Sequence, residues 1–269
     1  IRLWDPASGS CLQILKDRDN HDTVFFGVAW SPHGQWLASG TMLQGVLVWD
    51  VSTHSLRWAA HTDSPRVLRL AWHPDGTRLA GGDEEGHVYV WEASDGKLLL
   101  RLEGHHGAVT SVAFSPDGSR LASGGGRQDS GELFVWEVQS GKRVRALSGH
   151  PGRVAALTWA ASGQMLVSGG SDGRLRWWQV DSGQCVRLRE AHQGTVQALK
   201  VSPDGSTLAS CGDDGAIRLW DLESGEHVRT LRSDRPYERL DITGIRGLTQ
   251  AQKAALRALG AVEDEEKQS

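Results

Sequence analysis

The chain has 269 residues, 39% of them hydrophobic and 23% charged, with a formal net charge of −4. That balance supports a packed core and excludes wholesale disorder. It also lacks the basic block that nucleic acid or an anionic membrane would need, and no apolar run approaches the roughly 20 residues that span a bilayer.

The sequence opens at Ile1, inside a repeat, and reads as part of something longer; no signal peptide is visible. Residues 1–15 supply two strands, IRLW ending at Trp4 and CLQIL after a Gly turn. Five fuller units follow at about 21–58, 61–102, 105–147, 150–189 and 192–232. Each carries a strand that ends on Trp before an acidic or amide residue: Trp49-Asp50, Trp91-Glu92, Trp136-Glu137, Trp178-Gln179 and Trp220-Asp221. Counted from Trp4, these tryptophans recur at intervals of 42 or 45 residues, the period of a repeat fold.

The order inside a unit is constant. In the fourth, VAALTW is a first strand and AASG a turn. QMLVSG is a second strand, and Asp-Gly then supplies the positive φ of a tight hairpin. RLRWW and CVRLR complete four antiparallel strands. Between the first two strands the turn recurs as SPHG, HPDG, SPDG, AASG and SPDG, mostly with the Pro and Gly of a type I turn. A lone four-stranded sheet cannot bury both faces. Radial packing of such sheets solves this, so an all-β propeller is expected.

Beyond Leu231 the repeat stops. Residues 233–269 are read as an extension, with a helix at about 249–259 and an acidic, disordered end. Thr249 and Gln252 form a capping box, and Gly260 is a suitable stop. Leu248, Ala255, Leu256 and Leu259 make an apolar stripe expected to dock on the propeller. Cys11 and Cys185 occupy equivalent repeat positions, and with Cys211 make an odd count without a CxxC. They are expected to pack as small apolar side chains in a reducing, cytoplasmic compartment rather than to form a disulfide.

These features resemble the WD40 family over residues 1 to 232. The residues that carry the likeness are Gly104-His105 and Gly149-His150, the SPDG turns, the LASG strands, the Asp-Gly turns and the terminal Trp-Asp pairs. The fold class implied is all-β: a WD40 β-propeller fragment of five full four-stranded blades and the two outer strands of another, with a short C-terminal helix. Such a ring either stays open or closes irregularly, and the parent is expected to have seven or more blades. The segment PYERLDITGIRGLTQAQKAALRALGA resembles the end of bacterial WD40 proteins that carry a STAND/NB-ARC-type signalling ATPase module. That likeness implies an N-terminal effector or ATPase region in the parent chain.

Ser, His and Asp in each unit suggest a hydrolase triad. A triad is needed once, whereas this set recurs with the repeat. The resemblance implies a structural hydrogen-bonded tetrad instead. Its members are His192, Ser210, Asp214 and Trp220; His150, Ser168, Asp172 and Trp178; and His105, Ser123, Asp129 and Trp136, the last with an expanded turn. Two sets are incomplete: His61 and Trp91, with Gly81 for Ser and Glu85 for Asp; and His21, Ser39 and Trp49, with Leu43 at the Asp position. Weaker locking is expected there. Trp177, next to Trp178, belongs to the opposite face of its strand. Gly124-Gly125-Gly126 lacks the Lys-Ser/Thr of a phosphate loop, and His105-His106 lacks companion metal ligands. No cofactor, metal or catalytic residue is expected.

The resemblance places partner binding on the rim around the central channel. The positions are Phe26, Met42, Arg66, Leu68, Glu84, Thr110, Arg153, Ser171, Gln197 and Asp213. Apolar and Arg anchors together suit a protein or peptide partner. The function expected is a non-catalytic protein-interaction scaffold or sensor domain of a bacterial multidomain signalling protein. The rival is a ligand-binding or enzymatic propeller working through the central channel.

Overall fold

The computed structural model describes residues 1–15, 24–64, 66–232, 240–245, 247–259 and 261–263. β1 (Arg2–Trp4) and β2 (Cys11–Ile14) pair as a two-stranded half-blade. Five four-stranded antiparallel blades follow. The first is β3 (Phe25–Trp30), β4 (Trp36–Thr41), β5 (Val46–Asp50) and β6 (Ser55–Ala60). The second is β7 (Val67–Trp72), β8 (Arg78–Asp83), β9 (Val88–Glu92) and β10 (Leu98–Leu102). The third is β11 (Val109–Phe114), β12 (Arg120–Arg127), β13 (Ser130–Glu137) and β14 (Arg143–Ala146). The fourth is β15 (Val154–Trp159), β16 (Met165–Gly170), β17 (Arg174–Gln179) and β18 (Gln184–Glu190). The fifth is β19 (Val196–Val201), β20 (Thr207–Gly212), β21 (Ile217–Asp221) and β22 (His227–Leu231). Within every blade, consecutive strands are hydrogen-bonded neighbours.

The first strands pack in succession, β3 on β7, β7 on β11, β11 on β15 and β15 on β19. Among the described residues, β3 and β19 at the ends of this row share no such extensive packing. Glycine in the second strand permits the close stacking. A Cβ on Gly169 would lie 2.5 Å from Val196 Cγ1 of the next blade, and one on Gly82 would lie 2.4 Å from Val109 Cγ1. Gly40 faces Val67 and Gly124 faces Val154 in the same way. The Ser-Gly and Gly-Gly pairs of the second strands therefore reflect backbone approach between blades.

Tryptophans outside the Trp-Asp positions tie blades together. Trp58 donates to Ala93 O at 2.9 Å, Trp177 to Leu222 O at 3.0 Å, Trp72 to Ala29 O at 2.9 Å and Trp159 to Ala113 O at 3.0 Å. Each bond crosses from one blade to its neighbour. Guanidinium groups of the outer strands add to them. Arg57 reaches Ser94 O, Arg145 reaches Asp181 O and Arg189 reaches Gly225 O, each in the turn of the following blade.

The C-terminal helix α1 (Gln250–Ala258) starts at Thr249, which caps it reciprocally with Gln252. Its apolar stripe led us to expect docking on the propeller, but among the described residues it makes no extensive contact with any strand. Instead Ile242, fully buried, and Ala261 form its support, through a parallel bridge between Asp241 and Val262. Lys253 binds Glu263 at 2.5 Å across the same small unit. The rest of the acidic end and Gly260 lie outside the described residues. The cysteines differ from expectation as well. Cys11 and Cys185 are exposed on outer strands, and each thiol turns back to the carbonyl two residues on. All three cysteines are free. Among the described residues no helix is long and apolar enough to cross a membrane.

Candidate functional site

The Ser-His-Trp sets are the most concentrated polar chemistry inside the blades. In the fourth blade Ser168 stands on β16 and Trp178 on β17, directly opposite Leu166. Trp178 Nε1 donates to Ser168 Oγ at 2.7 Å, and His150 Nε2 meets the same oxygen at 2.7 Å. The fifth blade repeats this. Trp220 donates to Ser210 at 2.9 Å, and His192 Nε2 meets Ser210 at 2.8 Å. The Asp214 carboxylate lies 2.8 Å from His192 Nδ1 and accepts from Arg218 at 2.7 Å, and the same guanidinium nitrogen stands 2.7 Å from His192 Nδ1. Burial opposes ionisation of Asp214, but the bonds from His192 and Arg218 prevail and lower its pKa.

In the fourth blade the equivalent arginine bridges the aspartate and the histidine. Arg176 donates to Asp172 at 2.7 Å and also to His150 Nδ1 at 3.2 Å. A guanidinium only donates. Nδ1 of His150 is therefore the acceptor, and the neutral ring carries its proton on Nε2. In the third blade the assignment reverses. His105 Nδ1 faces the Glu132 carboxylate at 3.2 Å, and Nε2 takes the Ser123 hydroxyl at 2.7 Å. Trp136 completes that set at 2.8 Å.

Glu132 corrects the sequence reading, which gave Asp129 this role. The expanded turn leaves Asp129 exposed at the hairpin tip and brings Glu132 back under His105 and His106. The second blade is a further correction. The stretch from His61 to Val67 is two residues longer than that from His150 to Val154, and His61 is exposed. Trp91 is buried without a serine and stacks on Tyr89 at 5.5 Å. A different network serves this blade. The Asp83 carboxylate, fully buried, accepts from the backbone N–H groups of Glu85 and His87, and meets His87 Nδ1 and Tyr89 Oη. Burial, then the Asp83 charge, pushes the Tyr89 phenol up to about 12. In the first blade Trp49 reaches Ser39 at 3.4 Å; His21 lies outside the described residues. Sequence reasoning also missed Arg176 and Arg218. Their signal was present: both stand two residues before the blade Trp and four after the turn Asp.

Burial, followed by the Arg176 charge, drives the His150 pKa down to about 3 from 6.5, against the pull of Asp172. Burial lowers His105 in the same direction. Above about pH 6.5 both folded and unfolded imidazoles are neutral. Between about 3 and 6.5 the unfolded chain binds a proton that folded His150 refuses. Stability is therefore fully present above 6.5 and falls as the pH falls through that window. Urea unfolding between pH 7 and 4 is expected to show this loss, and His150→Gln is expected to flatten the slope by roughly 1 kcal/mol per pH unit. Identical slopes in the two proteins would contradict the neutral, buried imidazole.

The four rim positions in tight turns each bond a carbonyl just ahead of their blade's first strand. Met42 N–H bonds Val24 O, Glu84 N–H bonds Arg66 O, Ser171 N–H bonds Arg153 O and Asp213 N–H bonds Thr195 O. One end of each of these blades thus presents a residue of the first strand or its approach beside one of the tight turn. Arg66 and Glu84 are ion-paired at 2.9 Å. Gln197 donates to Asp213 at 2.7 Å. Thr110 spends its hydroxyl on Val154 O of the next blade. Leu68 is half-buried on β7, and Phe26 is 41% exposed on β3. Arg153 differs from the paired charges: its Nε is buried with no hydrogen-bond partner.

Three stretches, residues 96–137, 141–179 and 183–221, match the family model of the WD domain, G-beta repeat. These three stretches are WD40 repeats. The model of the anaphase-promoting complex subunit 4 WD40 domain matches residues 28–114. No curated protein matches the chain. WD40 repeats typically scaffold protein–protein interactions, and the blade geometry agrees with that use of the serines. Ser123, Ser168 and Ser210 are at most 1% exposed, each holding an indole N–H. A buried hydroxyl so engaged cannot be presented to a substrate carbonyl. Among the described residues no group of three or more His, Cys, Asp or Glu is placed to hold a metal ion.

Proposed function

We propose that this protein is a non-catalytic interaction scaffold or sensor domain that holds a protein or peptide partner on the WD40 rim. The observation that carries the reading is the burial of the Ser-His-Trp sets, which commits the reactive residue types to holding blades. The variation between blades then falls to the rim, where Phe26 supplies apolar surface and Arg153 a guanidinium whose buried Nε has no hydrogen-bond partner. Apolar and arginine anchors of this kind are the side chains that dominate binding energies. The parent is read as a cytoplasmic, bacterial, multidomain signalling protein with an N-terminal ATPase or effector region. The likeness of the closing segment supports that context.

The test is affinity capture with the wild-type chain, Phe26→Ala and Arg153→Ala. Each substitution is expected to reduce recovery of the same specific partner by roughly tenfold, the effect of removing a modest hot spot. Equal recovery by all three would remove the rim assignment.

A further inference from the structure

Each first strand carries the chain away from the rim. β7, for example, runs from beside Arg66 to Trp72 and on to the turn at residues 73–77. On that opposite face the turns leave a groove at each of four described junctions between blades. The residue that opens the second strand lines each groove and sets its chemistry. In chain order these residues are Trp36, Arg78, Arg120 and Met165.

The two arginine grooves differ in what the guanidinium meets. Between the third and fourth blades, Arg120 Nη1 donates to the Asp181 carboxylate at 2.9 Å. Asp181 stands three residues after Trp178, and the same place after Trp136 holds Gln139. The junction of the second and third blades therefore offers Arg78 an amide where Arg120 has an acid. Arg78 makes no hydrogen bond or ion pair among the described residues. It lines a groove of about 540 Å³ with Gln139, Asp117 and Glu137. Both acids have other donors: Asp117 accepts from the hydroxyls of Ser115 and Ser119, and Glu137 from Ser140. Asp117 also lines the next groove, where it does not keep Asp181 from Arg120. A further carboxylate is thus accommodated beside such an arginine. The adjoining groove, between the first and second blades, is smaller, about 240 Å³, and Trp36 is its aromatic wall. Arg57 lies over that ring at 4.6 Å, and Trp36 Nε1 makes no hydrogen bond among the described residues. Only the 73–77 turn separates the two grooves: Asp75, Gly76 and Thr77 line one and His73 the other.

We infer that these two grooves dock an acidic segment of a partner protein. A carboxylate of that segment sits on Arg78 as Asp181 sits on Arg120, and an apolar side chain lies against Trp36. The planar guanidinium fork matches a carboxylate, which fixes the register of the segment. An exposed ion pair alone contributes little. The contact with the half-buried indole supplies the apolar burial, and its free N–H takes an acceptor of the segment. Two anchors on either side of one turn suit an extended chain rather than a small molecule. The grooves lie at the opposite end of the blades from the rim, so the inference does not rest on the proposed function.

The test pans a phage-displayed library of random dodecapeptides on the full chain, after depletion on Arg78→Gln. The surviving peptides are expected to carry Asp or Glu near an apolar residue. A fluorescent synthetic copy of the leading peptide is expected to bind Arg78→Gln roughly tenfold more weakly by anisotropy, the loss of one anchor. Gln139→Asp is expected to weaken it as much, because its own aspartate takes Arg78, with the unfolding midpoint unchanged or raised. The Trp36 indole ¹H–¹⁵N resonance, assigned from Trp36→Phe, is expected to shift when the peptide is added. Arg153→Ala, on the rim, is expected to bind it like the wild type. A selection without acidic, Arg78-dependent sequences would overturn the inference, as would equal affinity for the wild type and Gln139→Asp. Binding that fails in Arg153→Ala would place the peptide on the rim and overturn it too.

Discussion

Trp177→Ala is expected to destabilise the protein by about 3–5 kcal/mol, the range for removing a large buried aromatic side chain. Trp177 is fully buried in the cluster that joins the fourth and fifth blades, with Leu175, Val196, Leu208 and Trp220. Its indole lies against Gly225 and donates to Leu222 O in the same turn, which Arg189 also grips. Truncation therefore opens a cavity and frees a carbonyl at one interface. In a repeat fold stability is carried by interfaces between neighbours. Among the described first strands, that of the fifth blade packs mainly on β15. Hydrogen exchange should consequently rise first over residues 196–231, with β7 to β9 little changed. A loss below about 1 kcal/mol, or uniform acceleration over all blades, would contradict this role for Trp177.

Ser168→Ala is the second large effect, at about 2–4 kcal/mol. The substitution removes no appreciable volume. It leaves the buried Trp178 Nε1 and His150 Nε2 without their shared partner, and each unsatisfied buried group costs about 1–3 kcal/mol. Trp178→Phe deletes one of those donors. A double-mutant cycle in urea should return a coupling of about 1 kcal/mol between the two positions. Strict additivity would mean that the hydrogen bond contributes nothing to the fold.

Much of the architecture was legible because it repeats. The tryptophan intervals, the Pro-Gly turns and the Asp-Gly hairpins act locally, and each is set by backbone geometry within a few residues. Ser168, His150 and Trp178 were legible for the same reason, since their spacing recurs in the fifth blade. Legibility ended where the spacing changed. A longer turn moved the carboxylate from the Asp129 position to Glu132, and a two-residue insertion carried His61 to the surface. Asp83 could not be anticipated, because it stands where the fourth blade has Gly170 and anchors a network of its own. Trp177 showed a different limit. Strand alternation places it on the face opposite Trp178, but which turn would cover it depends on the next blade. The exposed Cys185 and the undocked helix α1 make the same point: an apolar position in sequence has to find a neighbour before it is buried.

The buried Ser-His-Trp sets hold the blades, and the proposed binding rim lies outside them. The most direct measurement follows partner capture and urea unfolding together in Ser168→Ala and Arg153→Ala. Ser168→Ala is expected to lower the unfolding midpoint while the folded protein still captures its partner. Arg153→Ala is expected to weaken capture with stability unchanged within about 0.5 kcal/mol. The reverse pattern, with capture lost in folded Ser168→Ala and retained in Arg153→Ala, would contradict it.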